Sequence, residues 1–297
     1  MKKKDVLSSK RLEELKRKKR RRLRNKILIF ILIFVAFFVG LSFLSKWQKI
    51  NINQVTISGN KVIDAGKIRE VIDSNANGKY LWLFPKTNFL LYPEKKIRAE
   101  LLQNYKRIKE VSFNNENANS LEILISEYDG KYLWCGTSIS VSKSDTENNK
   151  CYFMDPDGYI FAEAPYFSGE VYFKFYGKND GNLPGSYFLK DYWDNIIFLK
   201  NNLEQLKLEP TAFWLDENND GNMALSAELV TGPRIIFKMN SDFNKLVENL
   251  QTALTTEPLQ SEFKDKYSSL LYIDLRFGNK IYYKFSTENT VSEELST

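Results

Sequence analysis

Residues 27–45 read ILIFILIFVAFFVGLSFLS, nineteen positions without a charged side chain. A helix rises about 1.5 Å per residue, so this stretch would cover roughly 28 Å, close to the roughly 30 Å hydrocarbon thickness of a bilayer. A cleaved signal peptide has a shorter apolar run that ends in a small-x-small site. Here Phe43, Leu44, Lys46 and Trp47 stand where that site would be. We therefore predict a retained transmembrane helix over residues 27–45.

The charge is divided unequally on the two sides of this stretch. Residues 1–26 hold 14 basic and three acidic residues, a net charge of +11, whereas the rest of the chain has a net charge of −5. Short basic flanks stay on the cytoplasmic side of a first membrane span. The pattern predicts a basic cytoplasmic tail over residues 1–26 and a long extracytoplasmic remainder.

The basic tail is better suited to lipid than to nucleic acid. Its run KRKKRRRLRNK directly precedes the apolar stretch and has no aromatic platform or folded module around it. Basic residues beside a span attract anionic lipid headgroups by about 1 kcal/mol each. We expect contact with the membrane surface and no nucleic-acid partner.

The remainder of the chain has two cysteines, Cys135 and Cys151. An extracytoplasmic location permits a disulfide between them, across the polar loop that separates them. Two free buried cysteines are the alternative, and the spacing excludes a CxxC redox motif.

A strand, two helices and two strands are predicted after the span. The segment INQVTIS alternates as a strand does, and apolar residues recur at helical spacing after Asp64 and again after Pro93. Period-two alternation then covers residues 108–113 and 121–125. The result is a β-α-α-β-β unit of α+β class over residues 50–127.

Three motifs stand in these segments, V-x-I-x-G-N, I-K-x-V and L-x-I-x-I-x-E. Their residues are Val55, Ile57, Gly59 and Asn60, then Ile108, Lys109 and Val111, then Leu121, Ile123, Ile125 and Glu127. With these motifs, the unit resembles a POTRA domain of the FtsQ/DivIB type, a family of bitopic bacterial cell-division proteins.

The resemblance continues into a second, β-rich domain, predicted over residues 128–285. A strand-turn motif with Asp155 and Gly158 joins Tyr152 and Met154 to Ile160 and Phe161. The ending Y-I-D-L-R-F, residues 272–277, followed by the strand 280–285, resembles the close of FtsQ/DivIB ectodomains. We predict a terminal β-hairpin there and a disordered tail over residues 286–297.

Catalytic chemistry finds little support. The chain has no histidine, which removes Ser-His-Asp and Cys-His catalysis and most zinc sites. Residues 216–221, DENNDG, copy half of a calcium loop, but Ala227 replaces its bidentate glutamate, which favours a polar hairpin turn. We expect no enzyme activity, cofactor, metal or small-molecule substrate.

The terminal strand is the candidate binding site. It is the last sheet element of the chain, and an exposed edge there would accept a partner segment by β-augmentation. The resemblance implies that this strand and the turn before it contact a FtsB/DivIC-type partner. An ordinary edge strand is the alternative, with Ile281, Tyr283 and Phe285 facing the core and Tyr282 and Lys284 exposed. In the binding hypothesis, proline at Tyr282 would remove a donor from the docking edge. The predicted partner surface is Arg276, Phe277, Ile281, Tyr282, Tyr283, Lys284 and Phe285.

The resemblance thus implies a non-catalytic bitopic scaffold at the division septum. Its expected partners are FtsB/DivIC-like and FtsL-like bitopic proteins, and its expected task is to link septum formation to peptidoglycan synthesis. The alternatives are a membrane-anchored cell-wall enzyme and a POTRA-type secretion or assembly component.

Overall fold

The computed structural model describes residues 10–137, 150–217, 223–230, 232–278 and 280–286. These residues divide into two compact units, the first ending at Glu127 and the second beginning at Tyr128. The predicted tail 286–297 lies outside the described residues except for Ser286, and so do residues 218–222 of the predicted polar hairpin turn.

The first unit begins with one long helix, α1 (Lys10–Ser45), which continues from the basic tail through the apolar stretch. Within the part of the chain that the structure describes, α1 is the one helix long and apolar enough to cross a membrane. Nearly all of its apolar side chains are exposed. The helix therefore indicates a single-pass membrane protein.

The rest of the first unit is a three-stranded sheet with two helices. Strand β5 lies in the centre, parallel to β1 and antiparallel to β4. Apolar side chains of both helices and all three strands form one buried core. The elements are β1 (Gln54–Ser58), α2 (Ala65–Ala76), the short strands β2 (Lys79–Tyr80) and β3 (Phe84–Pro85), α3 (Glu94–Asn104), β4 (Ile108–Asn117) and β5 (Ser120–Glu127).

The first and last motifs of the predicted POTRA unit meet in this sheet. Gly59 has φ +81°, and a Cβ there would stand 2.4 Å from the carbonyl oxygen of Ile125. Just beyond, the Glu127 carboxylate accepts hydrogen bonds from the amides of Lys61, Val62 and Ile63 at 2.8–3.1 Å. The glutamate that ends β5 thus fixes the turn that follows β1.

The second unit is a ten-stranded mixed sheet in the order β10-β8-β7-β6-β9-β11-β12-β13-β14-β15. Its strands are β6 (Tyr132–Trp134), β7 (Tyr152–Met154), β8 (Tyr159–Glu163), β9 (Phe173–Tyr176), β10 (Ser186–Tyr187), β11 (Pro210–Glu217), β12 (Met223–Leu229), β13 (Arg234–Lys238), β14 (Leu270–Phe277) and β15 (Lys280–Phe285). Helices α4 (Trp193–Gln205), α5 (Phe243–Leu254) and α6 (Leu259–Asp265) complete the unit. The core lies between the sheet and the apolar faces of α4 and α5, which carry Trp193, Ile196, Leu199, Leu246 and Leu250.

The motif with Asp155 and Gly158 forms the tight connection between β7 and β8. Asp155 is buried and accepts hydrogen bonds from the amides of Asp157 and Tyr159 at 2.9 and 2.8 Å. Gly158 adopts φ +80°, and a Cβ there would lie 2.7 Å from the Trp193 ring. The Trp193 indole N–H donates to the Pro156 carbonyl at 2.8 Å. This turn is therefore packed directly against α4.

Gly158→Ala should destabilise the second unit by about 3 kcal/mol, because positive φ costs a non-glycine residue about 1–2 kcal/mol and overpacking adds about 1–3 kcal/mol. Gly169→Ala is the matched control, since Gly169 has φ +86° but its Cβ would meet no atom within 4 Å. Denaturant unfolding followed by tryptophan emission measures both variants. Equal losses would show that the Trp193 contact contributes nothing.

Candidate partner-binding edge

The terminal hairpin puts β15 at the end of the ten-stranded sheet. Strand β15 pairs antiparallel with β14 on one side. Within the described residues no strand pairs with its other side. An unpaired edge presents N–H and C=O groups that an added strand can use.

The hydrogen-bond pattern identifies which residues form this open edge. The Ser286 amide donates to the Ser269 carbonyl at 2.7 Å, so position 286 points toward β14. Alternate residues of a strand bond to the same neighbour. Positions 284 and 282 therefore also face β14, and the backbone groups of Ile281, Tyr283 and Phe285 point to the open side.

This pattern corrects the expected effect of proline at Tyr282. Tyr282 stands opposite Asp274 in the ladder with β14, and its amide faces that strand. A proline there would break the hairpin itself instead of blocking a docking edge. Sequence alternation assigns side chains to faces, but it does not say which amides bond to which neighbour.

The side chains of β15 alternate between the core and solvent. Ile281, Tyr283 and Phe285 are partly buried and pack against the core of the second unit. Lys280, Tyr282 and Lys284 are exposed. Burial raises the pKa of the Tyr283 phenol above its ordinary value, and the nearby Glu262 carboxylate raises it further. The predicted site residues on β15 therefore divide into three that anchor the strand and two, Tyr282 and Lys284, that reach outward.

Arg276 is held in place by Asp274, two residues earlier on β14. Its Nε bonds to both carboxylate oxygens at 2.9 and 3.1 Å, and its Nη2 bonds to Oδ2 at 2.6 Å. This pairing raises the pKa of the Arg276 guanidinium above its ordinary value. Nη1 makes no hydrogen bond with the described residues, and one third of the side chain is exposed. Arg276 keeps a donor for a partner, although its main acidic contact lies within the chain.

A β-bulge shapes the surface beside Arg276. The register shifts between Asp274 and Phe277, so that β14 carries an extra residue there. Bulges redirect neighbouring side chains. Phe277 is 56% exposed and its ring contacts Tyr282, 49% exposed, edge to face at 5.2 Å between centroids. The bulge thus creates an exposed aromatic pair, which sequence periodicity did not predict.

The outward groups of the hairpin are mainly basic. Lys280, Lys284 and Arg276 carry positive charge, and the Asp274 carboxylate is already occupied. This composition suits a partner segment with acidic and apolar residues.

Within the described residues, no three His, Cys, Asp or Glu side chains are grouped to hold a metal ion.

The two predicted cysteines meet elsewhere in the second unit. Cys135 follows β6 and Cys151 precedes β7, and their sulfurs are bonded at 2.04 Å. The disulfide closes the base of the connection between these paired strands. Most of that connection, residues 138–149, lies outside the described residues.

Comparison with known families bears on the first unit. Residues 50–128 match the model of the POTRA domain, FtsQ-type. No curated protein matches the chain significantly. The matched residues coincide with the strands and helices from β1 to β5 that follow the apolar helix. An FtsQ-type POTRA domain that follows one apolar helix in the described residues supports an FtsQ/DivIB-like bitopic protein.

Proposed function

We propose that this protein is a non-catalytic scaffold of the bacterial division complex, which binds FtsB/DivIC-like and FtsL-like bitopic partners. The FtsQ-type POTRA domain supports a role in cell division. The observation that carries the binding proposal is the open side of β15, where Ile281, Tyr283 and Phe285 present their backbone groups. Holding these partners at the septum would link septum formation to peptidoglycan synthesis.

Binding would proceed by β-augmentation at this edge. An extended segment of the partner adds an eleventh strand, and its main-chain groups pair with those of Ile281, Tyr283 and Phe285. Main-chain pairing supplies affinity without sequence preference. Specificity comes from the exposed pair Phe277 and Tyr282 and from the basic groups beside it, which favour acidic and apolar partner residues.

The charge distribution supports the orientation that this role needs. The basic residues of α1, from Lys10 to Lys26, precede its apolar part and belong on the cytoplasmic side. The second unit would then lie outside the membrane, where a disulfide is stable. Bitopic partners with extracytoplasmic segments would meet β15 on that side.

Tyr283→Pro should weaken binding of a FtsB/DivIC-like extracytoplasmic segment by roughly tenfold to a hundredfold. The substitution removes one outward amide and leaves a partner carbonyl unpaired, which costs about 1–3 kcal/mol. Proline is tolerated on an edge strand when its missing N–H faces outward, so the ladder to β14 should persist. Titration of the segment against the full chain in nanodiscs measures the effect.

Tyr283→Ala is the matched control, because it also removes the ring but keeps the amide. We expect it to bind several times more tightly than Tyr283→Pro. Circular dichroism and tryptophan emission check the fold of both variants. Equal affinities of the two variants would show that the partner does not bind at this edge. Absence of binding by the wild-type chain would contradict the scaffold proposal.

A further inference from the structure

A second surface lies where the POTRA domain meets the end of α1. Ser42 and Ser45 are buried, unlike the apolar side chains around them. The Ser42 hydroxyl donates to the Leu83 carbonyl at 2.9 Å. The Asn88 amide group donates to the carbonyl and hydroxyl oxygens of Ser45 at 3.3 and 3.2 Å. The segment that contains Leu83 and Asn88 is thus attached to the last turn of the helix.

This attachment fixes the depth of the segment relative to a bilayer. Ser42 lies three residues before the end of α1, which corresponds to about 4.5 Å along the helix axis. The whole apolar stretch is needed to cross the hydrocarbon core. Leu83, bonded to Ser42, therefore lies at the outer boundary of that core.

The same segment exposes large apolar side chains to its surroundings. Leu81, Trp82 and Leu90 are 80%, 91% and 76% exposed. Leu81 and Trp82 have φ values of 49° and 60°, a left-handed conformation that residues with side chains rarely adopt. The β2–β3 pairing and the Leu83 amide, which donates to the Tyr80 carbonyl at 3.0 Å, hold this turn. The structure thus holds two consecutive apolar side chains outward in a rare conformation.

Basic and aromatic residues belong to the same segment and to the end of α1. The Lys86 ammonium lies 5.8 Å from the centre of the Tyr80 ring, and the Lys46 ammonium lies 5.5 Å from that of Phe43. Trp47, just after α1, is 59% exposed. Tryptophan, tyrosine and lysine next to leucine are typical of the membrane interface.

We propose that Leu81, Trp82 and Leu90 form a second membrane contact, which inserts into the outer leaflet beside the end of α1. The occupant is lipid because the surface is continuous with the apolar helix and attached to its final turn. The insertion would restrict tilting of the POTRA domain on its helix. The inference depends on membrane insertion of α1 and is independent of partner binding at β15.

The position of Trp82 can be measured by quenching with brominated lipids. The probe is the full Trp47→Phe chain in phosphatidylcholine–phosphatidylglycerol vesicles, with or without lipid brominated on its acyl chains. Trp134, Trp193 and Trp214 are buried in the second unit. The chain has five tryptophans, and the Trp47→Phe variant keeps four. If lipid reaches only Trp82 among these four, brominated lipid should remove up to about a quarter of the tryptophan emission.

Adding Trp82→Phe should abolish this quenching, and adding Val62→Trp to that double variant should not restore it. Val62 is 64% exposed in the same domain, but it follows β1 and does not belong to the segment that is attached to the helix end. Equal quenching with and without Trp82 would overturn the proposal. Quenching of the Val62→Trp variant would also overturn it, because the contact would then not be specific to this segment.

Discussion

Glu127→Ala should lower the free energy of unfolding of the POTRA domain by about 4 kcal/mol, since loss of one partner from a buried charged network costs about 3–5 kcal/mol. The Glu127 side chain is only 2% exposed. Besides the amides of Lys61, Val62 and Ile63, it accepts a hydrogen bond from Arg107 Nε at 3.1 Å. Alanine would leave the amides of Lys61, Val62 and Ile63 without this acceptor and would remove the hydrogen bond from Arg107.

The same carboxylate should make the domain sensitive to acid. Burial raises the pKa of Glu127, but the hydrogen bonds from Ile63, Lys61, Val62 and Arg107 outweigh burial, so the pKa lies below its ordinary value of 4.5. The ionised carboxylate therefore stabilises the fold fully above pH 4.5, and this contribution is lost as the pH falls through the folded-state pKa. Glu127→Gln should lack this part of the pH dependence.

Hydrogen exchange of the β4 and β5 amides measures both effects in the full chain, because core strands exchange through unfolding of their domain. Glu110→Ala is the matched control, an exposed glutamate on the same sheet that should change stability by less than about 0.5 kcal/mol. If the β5 amides exchanged as slowly in the Glu127→Ala variant as in the Glu110→Ala variant, the turn after β1 would not depend on the Glu127 carboxylate.

Local patterns in the sequence predicted much of this fold because their causes are local. The helical spacing after Asp64 predicted α2, and the Asp64 side chain accepts hydrogen bonds from the amides of Gly66 and Lys67, as an N-cap residue does. The terminal hairpin forms where the sequence predicted it, with strands Leu270–Phe277 and Lys280–Phe285. Glu127 belongs to the L-x-I-x-I-x-E motif. The sequence did not show that its carboxylate oxygens accept hydrogen bonds from the amides of the residues after Gly59.

The order of strands in the second sheet could not be predicted from the sequence, because it depends on contacts between residues that are distant in sequence. Strands β6 and β9 pair in parallel across the intervening β7–β8 hairpin, and β13 pairs in parallel with β14 across α5 and α6. Helix α6 itself was not predicted. Single-sequence periodicity shows which residues are buried, whereas neighbours in a mixed sheet are chosen by packing of the whole unit.

Only part of the candidate edge could be predicted, because some of its features depend on pairing with β14. Its position as the last strand followed from the sequence, and the sheet order leaves its outer side unpaired within the described residues. The bulge at residues 274–277 and the orientation of the Tyr282 amide required the register with β14. The exposed turn at Leu81 and Trp82 was not predicted. The apolar and aromatic residues around it indicate burial or exposure only through their pattern, and that pattern does not reveal the positive φ values that turn these two side chains outward.

The disulfide stabilises the second unit through the loop that it closes. Cys135 and Cys151 are separated by 16 positions, and the Cys135 amide donates to the Phe175 carbonyl at 2.9 Å. The bond therefore joins the adjacent ends of β6 and β7 next to β9. A loop of about 15 residues corresponds to roughly 3 kcal/mol in the chain-entropy model.

Cys135→Ala/Cys151→Ala should accordingly lower the free energy of unfolding of the second unit by about 3 kcal/mol, because the unfolded chain gains the freedom that the cross-link removed. Denaturant unfolding followed by tryptophan emission reports this unit, since Trp134, Trp193 and Trp214 are buried in it. Reductant should lower the stability of the wild-type chain by a similar amount and leave the double variant unchanged. Hydrogen exchange of the β5 amides provides the internal control, because the POTRA domain contains no cysteine. A wild-type chain whose unfolding does not respond to reductant under denaturing conditions would show that the two thiols are not cross-linked, and the stability of this unit would then rest on its apolar core alone.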